Sequence, residues 1–148
     1  GLFIDYENEE LIEFIKKDKI IIDGKNVFFP RKKKSMKEAI DIIKKSGGIS
    51  ILAHPGRYFN DMNKIIDQFI KSNGNGIEVY YPYAKILGIE LEKENQLINY
   101  LKKVASNKKL LISGGSDFHG NRGVDIGDYG LSIEEFKILK NSVRWWGI

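Results

Sequence analysis

Helices alternating with short apolar strands predict an α/β fold built from parallel βα units. Three observations predict it. From Ser35 onward, stretches of helical periodicity and apolar runs of strand length follow one another in turn. Two capping boxes, Ser35-x-x-Glu38 and Ser132-x-x-Glu135, announce helix starts. The strand-like runs stop at breakers, namely His54-Pro55-Gly56, Pro82 and Gly114-Gly115.

Taken in order, residues 7–17 (ENEELIEFIKK) put Leu11, Ile12, Phe14 and Ile15 on one helical stripe, acids first and lysines last as the helix dipole prefers. Next, Ile20–Ile22 and Val27–Phe29 are β-rich, and Asp23-Gly24 between them is a hairpin turn signal. Pro30 ends that unit. The basic run Arg31–Lys34 could touch phosphates, though such runs are more often simply solvated. The first capping box then opens a helix that buries Met36, Ala39, Ile40 and Ile43 and stops at Gly47-Gly48. Ile49–Ala53 reads as a strand. A helix over about 61–72 turns Met62, Ile65, Ile66, Phe69 and Ile70 inward, and Asn73–Asn75 breaks it. Gly76–Tyr81 is the second strand of this region, Glu90–Ala105 contains a third helix, and Leu110–Ser113 is the third strand. A long loop over 114–130 leads to the last helix, and the chain ends in Trp145-Trp146. Three parallel strands leave two open edges. Either the hairpin at 20–29 or another part of a larger barrel covers them.

The chain's 148 residues suffice for one domain with a real core, and 42% apolar with 30% charged residues is ordinary for a soluble globular protein. The net charge of +4 is mild, and most lysines fall on exposed helix faces, so a solvated basic surface explains it. Zero cysteines exclude a disulfide framework and a thiolate metal site, and fit a reducing, cytoplasmic setting. No apolar run approaches the ~20 residues of a membrane span. The first residue is Gly1 rather than Met, which fits a processed end, a tag scar or a piece of something longer.

The chemistry concentrates at strand ends, where βα architectures gather their loops. Only two histidines are present, and each follows a predicted strand: His54 after ISILA, His119 after LLISGGSD. Asp117 lies two positions before His119, on the same side of an extended segment. An oxygen donor with imidazoles suits Zn, Mn or Fe. Bland readings exist for each: a strand-capping histidine, an Asx-turn aspartate and a loop histidine with no task. Three coincidences on one face favour a metal site. Arg57, in the Pro-Gly turn, has the fork to hold a phosphate, or it forms a surface ion pair. Glu78 sits within a strand whose Ile77, Val79 and Tyr81 share the opposite face, so it needs a partner: Arg57, a metal or a lysine. Tyr80, Tyr81 and Tyr83 cluster around Pro82 and read as packing rather than base-stacking residues. Gly114 and Gly115 allow close backbone approach.

ISILAHPGRYFN, GIEVYYPY and LLISGGSDFHG followed by DIGDYGLS together resemble the PHP family of metal-dependent phosphoesterases, most nearly its bacterial branch acting on nucleotide phosphates. The likeness runs in order from about Pro30 to about Ser132. It implies part of a distorted barrel of seven βα units with two or three divalent metals (Mn, Zn or Fe) at its C-terminal mouth. It further implies His54, Asp117 and His119 as metal ligands, Arg57 as a phosphate contact, and a binding role for the acid Glu78. The family's opening H-x-H pair and its other early ligands are absent. Residues 1–31 therefore look like the end of a small inserted subdomain, and 32–148 like the C-terminal portion of the barrel. The implied reaction is hydrolysis of phosphate esters, nucleotides or short oligonucleotides, with the N-terminal part of the same protein as partner and no membrane. Two rivals remain: a non-catalytic remnant that binds nucleotide or a partner protein, and a nucleic-acid-binding module using Arg31–Lys34.

Overall fold

In the computed structural model, three parallel strands carry the molecule's main sheet, in the order β3–β4–β5. The structure describes residues 21–22, 25–26, 34–120 and 124–143. The chain divides into two units, Gly1–Lys33 and Lys34–Ile148. Of the first, the described part is a hairpin, β1 (Ile21–Ile22) antiparallel to β2 (Lys25–Asn26), with Ile22 opposite Lys25. That register leaves two residues between the strands, as the Asp23-Gly24 signal requires. The helix expected at 7–17, the strand at Val27–Phe29, Arg31–Lys33 and the Trp145-Trp146 end lie outside the described residues.

The second unit begins with α1 (Met36–Lys45), whose capping box is made as expected: Ser35 N–H donates to Glu38 at 2.7 Å, and Glu38 N–H donates to Ser35 Oγ at 3.2 Å. Its end is a Schellman turn, with Gly47 at φ 78° and Gly48 N–H donating to Ile43 O at 2.9 Å. Ile40 is buried, but Ile43, expected inward, is exposed. It sits in the last turn, against the Gly48 backbone that folds back there. β3 (Ile51–Leu52) follows, and is shorter than the apolar run predicted. Two elements were not expected: a 3₁₀ segment over Pro55–Asp61, and a short helix α3 (Tyr83–Leu87) after Pro82. Between them lie α2 (Met62–Lys71) and β4 (Gly76–Tyr80). The remainder is α4 (Leu91–Lys108), β5 (Leu111–Gly114) and α5 (Ile133–Ser142). No described helix is long and apolar enough to cross a membrane.

β4 is the central strand, and the core forms around it. Ile77, Val79 and Tyr81 are fully buried, packed with Ile66 and Phe69 of α2 and Leu101 and Ala105 of α4. The alternate residues Glu78 and Tyr80 are only half-buried. Tyr80 works at both ends. Its carbonyl accepts Gly115 N–H at 3.1 Å, and its hydroxyl donates to Glu135 of α5 at 2.7 Å while accepting from Lys102 of α4 at 2.8 Å.

Gly76 begins β4 where both neighbours press in. A Cβ there would lie 2.6 Å from Leu111 O and 2.7 Å from Ile51 Cδ1. The carbonyl belongs to the sheet backbone and cannot yield. Gly76→Ala is expected to cost about 1–3 kcal/mol, read as a lowered denaturation midpoint. An unchanged midpoint would show that the two flanking strands are not held this close.

Candidate active site

Because the three strands run parallel, the loops after β3, β4 and β5 leave from one edge of the sheet. The β3–β4 register, with Leu52 beside Ile77, carries His54 toward Glu78. There Glu78 Oε2 accepts the His54 backbone N–H at 2.8 Å. The partner Glu78 needs is therefore an amide of the next strand end, rather than Arg57, a lysine or a metal. On the other side, the β4–β5 register slips between Glu78–Ser113 and Tyr80–Gly114. The slip is a local irregularity that re-aims the chain after β5. Gly114 is needed there for protein packing: a Cβ would lie 2.5 Å from Tyr129 O and 2.7 Å from Tyr80 Cβ. Gly115 faces Glu78 Oε1, 3.7 Å from where its Cβ would be.

His54 has a left-handed backbone, φ 32° and ψ 59°, followed by Pro55. Its imidazole packs tilted against the Tyr81 ring, centroids 4.9 Å apart. Its Nδ1 is buried with no hydrogen-bond partner. Asp117 is also left-handed, φ 50°. Its Oδ2 accepts the Tyr81 hydroxyl at 3.2 Å, and its Oδ1 lies 3.7 Å from His119 Nδ1. That nitrogen is closer to the Asp117 carbonyl, at 2.6 Å, and the His119 ring is largely exposed. Arg57 N–H closes the turn on His54 O at 3.0 Å. Its guanidinium lies near the Tyr81 hydroxyl, whose pKa burial pushes up and Arg57 holds back. Behind them Tyr83, fully buried, accepts Gly56 N–H at 3.3 Å, and burial raises its pKa strongly.

The structure thus gathers His54, Arg57, Glu78 and Asp117 around Tyr81, with His119 on the outer side of Asp117. Among the described residues, no three His, Asp or Glu side chains converge into a cluster that could hold a metal. The donor chemistry nevertheless fits a divalent ion of the Zn, Mn or Fe class at part of a site. A buried imidazole nitrogen without a partner costs about 1–3 kcal/mol, and a ligated ion is one way to satisfy it. Tyr81 is the residue that sequence reasoning passed over, assigning it to packing. The alternation of Ile77, Val79 and Tyr81 locates its ring but gives no sign of where its hydroxyl points.

No family model matches the chain. It is 30% identical to the 5'-3' exoribonuclease Rnm of Escherichia coli over 104 residues, 68% of this chain and 32% of that protein. It is 30% identical to the 3',5'-nucleoside bisphosphate phosphatase of Chromobacterium violaceum over 115 residues, 74% of this chain and 37% of that protein. The chain therefore spans about a third of the length of these curated relatives. Among solved structures, a Bifidobacterium adolescentis protein described as a metal-dependent phosphoesterase superposes with a TM-score of 0.60 at 22% identity. The match covers 80% of this chain and 40% of that one, and it establishes the fold.

Burial pushes the Glu78 carboxyl up, and the Asp117 charge adds to this against the pull of the His54 N–H. The folded chain therefore binds more protons than the unfolded one between the ordinary glutamate value and the raised one. Stability falls as pH rises through that interval. Glu78→Gln keeps an acceptor for His54 and removes the titration, so the melting-temperature difference between wild type and variant should move in the variant's favour with rising pH. A difference independent of pH would refute this.

Proposed function

Because the chain belongs to the PHP family of metal-dependent phosphoesterases, we propose that it forms part of a hydrolase site acting on phosphate esters of nucleotides or short oligonucleotides. The observation that carries this reading is the meeting of two strand-end loops: His54, its Nδ1 buried and unpaired, and Asp117 both rest on Tyr81, with Arg57 alongside. The names of the relatives, an exoribonuclease and a nucleoside bisphosphate phosphatase, support the substrate class.

In this proposal His54, Asp117 and His119 are ligands of a centre of two or three divalent ions, Mn, Zn or Fe. When bound, such ions supply Lewis-acid activation of water and charge neutralisation at phosphorus. Arg57 grips phosphate oxygens through its planar fork. Glu78 holds the His54 turn through its amide while its other oxygen faces Gly115. The remaining ligands come from polypeptide outside this chain, consistent with the third of its relatives' length that it spans. The isolated chain would then be a poor catalyst.

In the full natural protein, phosphate release from nucleotides should require Mn²⁺ and stop on chelation. His54→Ala and Asp117→Ala should each lower kcat/KM roughly 100-fold or more, and Arg57→Ala should raise KM about tenfold. Hydrolysis that survives both chelation and Asp117→Ala would sink the proposal. A second reading, a non-catalytic remnant that binds nucleotide or a protein partner, is favoured by one observation: the lack of a three-donor cluster among the described residues. Nucleotide binding without phosphate release in the full protein would select it.

A further inference from the structure

We infer that Tyr81 is the positioning residue of this site: its hydroxyl fixes the Asp117 carboxylate and its ring fixes the His54 imidazole, so that both present their metal-binding atoms together. The inference rests on the functional reading above and deepens it. β3 and β5 are not neighbours, since β4 lies between them, so the loops bearing His54 and Asp117 have no strand-to-strand contact to align them. Tyr81, the first residue beyond β4, bridges the gap. It touches the His54 ring on one side, at 4.9 Å between centroids, and hydrogen-bonds Asp117 Oδ2 on the other, at 3.2 Å. Its own position is tightly set, with no exposed surface and the Tyr83 ring 5.0 Å away at 56°.

The hydroxyl has one proton. Given to Asp117, it leaves only the phenol oxygen for the neighbouring Arg57, so donation runs from Arg57 to Tyr81 to Asp117. Asp117 Oδ2 is thereby occupied, and Oδ1 is the oxygen left for a cation. Both site residues also hold left-handed backbones, φ 32° at His54 and φ 50° at Asp117. Non-glycine residues persist there only when their surroundings over-determine them. A tyrosine that merely packed would be replaced by phenylalanine without consequence, and this distinguishes the two roles.

The test uses the full natural protein. Calorimetric titration of Tyr81→Phe with Mn²⁺ should give an affinity at least about tenfold weaker than wild type, the usual loss when a group orienting a ligand is removed. The melting temperature of the metal-free variant should stay close to wild type. Equal Mn²⁺ affinity in the two proteins would leave Tyr81 a packing residue and overturn this inference alone. Absence of Mn²⁺ binding in wild type, or undiminished binding in Asp117→Ala, would overturn the functional reading with it. Should Tyr81→Phe fail to fold, a structure of the Mn²⁺-loaded wild type decides. The phenol oxygen within hydrogen-bond reach of a ligating Asp117 supports the inference, and a hydroxyl turned away overturns it.

Discussion

Glu78 reaches sideways from the central strand and accepts the backbone N–H of His54 at 2.8 Å, and the arrangement of the candidate site follows from that bond. β3 stops at Leu52, so the amide of His54 has no strand partner. Left unpaired at this depth it would cost about 1–3 kcal/mol. The carboxylate pairs it, and so fixes the point at which the chain leaves the sheet and turns left-handed into Pro55. The cost falls on Glu78, whose ionised form is disfavoured by its own burial. A side chain that is electrostatically uncomfortable thus keeps the neighbouring backbone in a conformation that non-glycine residues seldom adopt.

The two faces of β4 divide the labour. The face of Ile77 and Val79 builds the core and delivers Tyr81 to its end, where the phenol meets Asp117. The other face carries Glu78 to His54 and Tyr80 to Lys102 and Glu135. Each polar group on the strand, whichever face it lies on, ends on a different loop or helix. A one-residue slip of β4 would exchange the faces and break these bonds together, so the fully buried Ile77 and Val79 protect the polar geometry as well as the core.

Much of this could be read from the residues. Ser35 with Glu38 and Ser132 with Glu135 fixed two helix starts, because a capping box is a local device whose partners lie three positions apart. The alternation through Ile77, Val79 and Tyr81 gave the buried face of β4, and the strand-end placement of His54 and Asp117 put them on one edge. What escaped was non-local or too short to leave a period. The 3₁₀ segment at Pro55–Asp61 and helix α3 carry no apolar repeat long enough to recognise. The partner of Glu78 is a backbone amide 24 residues earlier in the chain, to which no side-chain pattern points. The hydroxyl of Tyr81 finds Asp117 36 residues later, for the same reason. Ile43 was misplaced because helical periodicity gives a face, and the last turn of α1 has already passed the core.

The segment from Gly115 to the start of α5 begins and ends at one residue. Tyr80 holds the first amide through its carbonyl and Glu135 through its hydroxyl. A loop pinned at both ends to a single anchor has a closure entropy that grows only slowly with its length, about 0.6 kcal/mol per doubling. Evolution can therefore lengthen, shorten or rewrite the far part of this segment at small cost to the sheet beneath it. The result is a rigid stem bearing an exchangeable crown, through which one scaffold can serve phosphate esters of very different size.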